Sequence, residues 1–118
     1  VIGKTVNIWD AQTEFGDTNM LVDSMEMGHS LGRTLGPNRV VLLRGHGVVC
    51  AADNVRAVIM ISIGVKDNAA LIQETRQLGE VKYLSEGEIE KTSKMLLGAM
   101  PLARAWDYWT TRAGYSGL

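Results

Sequence analysis

Cysteine occurs once, at Cys50, so no internal disulfide can form, and the usage suits a reducing compartment such as the cytoplasm. Lys and Arg are never clustered and the net charge is only -1, which argues against a nucleic-acid partner, because phosphate binding draws on grouped cations. Long apolar runs are missing too. The most apolar stretch, Val55 to Val65, is interrupted by Arg56, Ser62 and Gly64 and is too short to span a bilayer, so no membrane partner is expected. The opening residues "VIGKTVNIWD" lack the apolar core of a signal peptide. They also lack an initiator Met, which leads us to expect a fragment or a processed product. Histidine appears only at His29 and His46, and neither has a second Cys or His nearby at ligand spacing. Zinc takes three or four ligands, so the chain alone does not supply a convincing metal site.

What is present fits one globular domain. The chain has 118 residues, of which 46% are hydrophobic, enough for a single core. "KTVNIWD" predicts a short strand with Val6 and Ile8 on one face. "TEFGDT" predicts a turn, with Asp17 or Thr18 capping a helix from Asn19 to Leu35 that Gly36-Pro37 stops. Val40 to Arg44 reads as a buried strand, its continuous apolar part ending at Leu43, and Val48 to Cys50 as a second strand completing a hairpin. Asp53 is the expected cap of a long helix running to Leu78 and ended by Gly79. Ser85 and Glu88 have capping-box spacing and open a helix to about Leu97. Pro101 suits the first turn of a last helix through Thr111. Short strands mixed with helices point to an α/β or α+β fold around a small sheet.

The candidate functional residues are few. His29 lies within a helical pattern and reads as an ordinary helix residue. His46 stands between Gly45 and Gly47 at the end of a strand. Glycines permit backbone angles closed to other residues and let another group come close, and strand ends are common places for sites. An incidental histidine in a tight hairpin is the plainer reading. Arg44 could grip a substrate carboxylate with paired hydrogen bonds, or simply reach solvent. Cys50 reads as a small buried apolar residue, and Asp17 as a cap rather than an acid. Two of the three tryptophans crowd into "RAWDYWTTRAGY". Trp106 and Tyr108 point roughly 200° apart on a helix, so one face cannot bury Trp106, Tyr108 and Trp109 together. Packing or a subunit interface is the usual meaning of such a cluster. The alternative is a tail closing over a neighbouring pocket.

"EFGDTNMLV", "GHSLGRTLG", "NRVVLLRGHGVVCAADNVRAV" and "NAALIQETRQLGEVKYLSEGEIE", in that order, resemble the C-terminal half of the class II aldolase/adducin family. The strand followed by His-Gly is the most specific element. Arg44-Gly45 and the terminal "RAWDYWTTRAG" resemble most the family's decarboxylases of hydroxylated aromatic or muconic-type dicarboxylic acids; the sugar-phosphate aldolases more often have Asn where Gly45 stands. The resemblance implies a three-layer α/β/α sandwich with a mainly antiparallel central sheet, of which residues 1–118 would form a single partial domain. It implies a divalent cation, zinc or manganese, with His46 as one ligand, and an acidic small-molecule substrate contacted by Arg44 and Tyr108. It also implies a homo-oligomer, a tetramer by likeness. The family's upstream His-x-His pair and its acidic catalytic residue have no counterpart in these residues. The readings that follow are a metal-dependent lyase, first a decarboxylase and next a sugar-phosphate aldolase or epimerase, or else a non-catalytic assembly module like the adducin head.

Overall fold

The computed structural model describes Ile2, residues 5–115 and Gly117. Among these residues the fold is α+β, with a three-stranded sheet and five helices. The chain divides into two compact units, one of Thr5–Ala51 and one that takes in Ala52–Leu118.

The first unit holds β1 (Asn7–Trp9), α1 (Ala11–Phe15), α2 (Met25–Leu35), β2 (Val40–Leu43) and β3 (Gly47–Cys50). The sheet order is β1-β2-β3, with β1 parallel to β2 and β2 antiparallel to β3. β2 and β3 form the expected hairpin, with Leu43 opposite Gly47 and Val40 opposite Cys50. Trp9, Met27, Val41 and Leu43 make the core, and Ala11, Phe15, Leu31, Leu35 and Val49 pack against it. Side chains alternate across a sheet, so the residues in register as Ile8, Leu42 and Val48 fall on the other face, and all three are exposed.

β1 therefore presents its Trp9 face, not its Ile8 face, to the core. Ile8 is turned out, and Trp9 is the buried residue of the strand. The reason is polar as well as apolar: the Trp9 indole Nε1 donates to Ser30 Oγ at 3.0 Å, a partner only α2 provides. Lys4, where the expected strand began, lies outside the described residues. α2 also starts later than expected. Ser24 caps it by accepting from Met27 N, whereas Thr18 and Asn19 bond the backbone of Met20 and Leu21 in a loop. The turn read at "TEFGDT" (13–18) is helical in its first three residues: Thr13 to Phe15 belong to the short helix α1, which Asp10 caps. Asp17 caps no helix; it accepts from Gln12 Nε2.

The second unit is helical: α3 (Val55–Leu78), α4 (Glu86–Leu96) and α5 (Ala99–Arg112). α3 is capped by Asn54, one residue beyond the expected Asp53, with Asn54 Oδ1 accepting from Ala57 N at 2.9 Å. Gly79 ends it as expected. The Ser85–Glu88 capping box is formed in both directions. Pro101 is the third residue of α5, a position whose N–H has no partner within the helix. α5 packs on both α3 and α4. Among its described residues Ala57, Ile61 and Leu102 are the buried apolar side chains. No helix among the described residues is long and apolar enough to cross a membrane.

Candidate functional site

The turn between β2 and β3 is built on backbone geometry. His46 N donates to Leu43 O at 3.2 Å, closing a four-residue turn. Gly45, its third residue, has φ +71°, the left-handed conformation that a type II turn requires at that place. The outcome is a three-residue loop, Arg44 to His46, with the His46 side chain exposed at the tip of the hairpin.

Two other segments meet this turn. Arg44 N donates to Trp9 O at 3.0 Å, fastening the turn to the end of β1. Its guanidinium then reaches α1: Nε lies 2.7 Å from Asp10 Oδ1, and Nη2 donates to Gln12 Oε1 at 3.4 Å. The Arg44 hydrogen bond holds the Asp10 carboxyl below its ordinary value of 3.8, helped by the Gln12 backbone N–H and opposed by desolvation. From the loop before α2, Met20 packs against Gly45. A Cβ at Gly45 would come within 3.1 Å of Met20 Cε and 3.2 Å of its sulfur. Met20 itself has φ 67°, the one non-glycine residue with positive φ among the described residues.

Arg44 and His46 are thus brought together, as chain proximity required. Arg44, though, spends the Nε–Nη2 edge of its guanidinium inside the protein. A substrate carboxylate seeking that edge would have to displace Asp10 and Gln12. Asp10, Gln12 and Met20 are the members of this cluster that sequence reasoning missed. The sequence signal for Asp10 was its place as a capping residue before an unrecognised helix. Met20 had no signal of its own.

His29, Cys50 and Tyr108 are the remaining candidates. His29 is exposed on α2, as a plain helix residue would be. Cys50 is half-buried on β3 and not fully inside. Tyr108 belongs to the second unit. Its hydroxyl accepts from Arg112 Nη1 at 2.9 Å, and its ring stands edge-on to Trp109, centroids 4.8 Å apart. Of the three crowded aromatics, Tyr108 is the exposed one, while Trp106 is half-buried with the Arg56 guanidinium 5.6 Å from its ring centre.

Among the described residues no group of three or more His, Cys, Asp or Glu side chains could hold a metal ion. One exposed imidazole does not make a site for zinc or manganese. The donor set of the described residues therefore does not fit a complete metal centre.

No protein-family model matches the chain. The chain is similar to an aldolase. Over 60 residues it is 32% identical to 5-deoxy-D-ribulose 1-phosphate aldolase of Bacillus thuringiensis serovar kurstaki. The match takes in 51% of this chain and 28% of that protein's length. It supports the class II aldolase resemblance at the level of the superfamily, and does not single out the decarboxylase subgroup.

Proposed function

We propose that this chain carries part of an aldolase-type carbon–carbon lyase whose substrate is a phosphorylated sugar. The likeness to a sugar-phosphate aldolase carries this reading. The engaged Arg44 edge adds to it, since it weakens the case for a carboxylate clamp and with it the decarboxylase. A second reading remains because Gly45 stands where sugar-phosphate aldolases more often have Asn: decarboxylation of a hydroxylated aromatic or muconic-type dicarboxylic acid.

The two reactions make the same electronic demand. Aldol cleavage removes the proton of a hydroxyl and moves the carbon–carbon bonding pair onto the carbon beside a carbonyl. Decarboxylation leaves the pair in the same place. Either way an enolate forms, and positive charge or hydrogen-bond donors held nearby in advance lower its energy. On this chain Arg44 is the cation of the turn itself, and His46 is the exposed side chain between the two glycines. A divalent cation, zinc or manganese, is the implied cofactor; His46 would take a single place in its ligand set. Tyr108 as a substrate contact and a homotetrameric assembly belong to the same proposal.

The test is an assay of the protein that contains this chain, in manganese or zinc, on a ketose 1-phosphate and on a hydroxylated aromatic dicarboxylic acid. Aldehyde release from the former is expected, with His46→Ala lowering turnover by orders of magnitude and leaving the circular dichroism unchanged. Carbon dioxide release from the latter alone would favour the decarboxylase. No turnover of either, with His46→Ala indistinguishable from wild type, would favour the non-catalytic module.

A further inference from the structure

α1 is only five residues long, too short to hold its shape in water unaided. It is held at both ends. At its C-terminal end Glu14 accepts from the Ser30 hydroxyl and from Arg33 Nη2, the latter at 2.8 Å. At its N-terminal end one oxygen does two things. Asp10 Oδ1 caps the helix by accepting from Gln12 N at 3.0 Å, and the same atom pairs with Arg44 Nε at 2.7 Å. Gln12 extends the contact, accepting from Arg44 Nη2 while donating to Asp17 at 3.0 Å.

Arg44 is the first residue of the loop whose third residue is His46. Its backbone N–H is tied to Trp9 O, and its side chain to the very next residue, Asp10. Gly45 and Gly47 have no side chains with which to fix the turn. Met20 touches it at Gly45, through the flexible end of its side chain. The directional, charge-assisted hold comes from Asp10. We infer that Asp10 is a positioning residue: by pairing with Arg44 it keeps the Arg44–Gly45–His46 turn in one conformation and so sets where the His46 imidazole stands. This rests on the proposed role of His46, and it extends that role to a residue outside the hairpin.

The rival is that Asp10 only caps α1. Asparagine separates the two roles, because Asn caps a helix about as well as Asp but carries no charge for the guanidinium. The experiment is backbone 15N relaxation on the whole chain, comparing wild type, Asp10→Asn and Arg44→Lys. Gly36, whose N–H bonds Gly32 O at 3.0 Å in the same unit, is the reference for an intact fold. In wild type, Gly45 and His46 should have order parameters near the rigid value of about 0.85, falling towards about 0.6 in Asp10→Asn while Gly36 stays unchanged. Wild-type order at Gly45 and His46 in that variant overturns the inference. Arg44→Lys leaves the Asp10 cap in place but lacks the planar fork. It should loosen the same two residues, and its silence overturns the inference even where Asp10→Asn fails to fold. Neither measurement involves metal or substrate. A mobile turn in the variants would stand even if His46→Ala kept full activity, and a rigid one would fail the positioning role while leaving the aldolase reading intact.

Discussion

Trp9 and Ser30 are joined by a hydrogen bond in the core of the first unit, the indole N–H donating to a hydroxyl that is almost wholly buried. Ser30 passes its own proton donor on to the Glu14 carboxylate, which also accepts from Arg33. β1, α2 and α1 are therefore linked by one polar chain running from inside to outside. Ser30→Ala should cost roughly 1–3 kcal/mol, because it leaves the buried indole N–H without its partner. A urea titration followed by tryptophan fluorescence measures this. A loss well below that range would mean that water replaces the hydroxyl.

Gly45 should resist replacement chiefly through its backbone. An L-residue in the left-handed region loses about 1–2 kcal/mol, and the contact with Met20 adds a part that its flexible tip can relieve. Gly45→Ala should accordingly be destabilised, and adding Met20→Ala should restore little of the loss. Full restoration in the double variant would trace the loss to the contact and not to the φ angle.

Asp10 links stability to acidity. Its carboxyl titrates below the ordinary 3.8, held there first by the Arg44 hydrogen bond. A depressed carboxylate stabilises the folded state above its unfolded-state value, and that contribution fades as pH falls through the folded-state value. The difference in urea midpoint between wild type and Asp10→Asn should be present at pH 6 and shrink as the pH is taken below 3.8. A constant difference across that range would assign the effect to something other than ionisation.

The Ser85–Glu88 capping box is a local device in an exposed stretch. Ser85→Ala should weaken the start of α4 by about 1 kcal/mol. Glu88 is held below its ordinary 4.5, mainly because its carboxylate accepts from the Ser85 backbone N–H. That contribution is likewise present at neutral pH and lost in acid. Amide exchange at Ile89, which bonds Ser85 O at 2.9 Å, reports the change. An exchange rate that Ser85→Ala leaves unaltered would rule the box out as a stabilising feature.

Features that depend on neighbours in the chain were legible in the sequence. The hairpin from Val40 to Cys50, the stop at Gly79 and the Ser85 box all stand where the residues placed them, because a strand turn, a glycine stop and a side-chain cap each involve residues a few positions apart. The exposed His46 turn belongs to this class, since it is closed between Leu43 and His46 around the positive φ of Gly45. The tertiary structure decided whatever required a choice between equivalent local options. Val6 with Ile8 and Trp9 are alternative inward faces of the same strand, and Ser30 with the α2 core selects Trp9. Thr18, Asn19 and Ser24 can each bond a nearby backbone N–H, and only Ser24 starts a helix whose Met27 reaches the core. Arg44 looked free to bind substrate because its acceptor Gln12 lies 32 residues away in the chain. Residue types and spacings define which side chains can form an ion pair; only the packing of β1 beside β2 brings Asp10 to the Arg44 guanidinium.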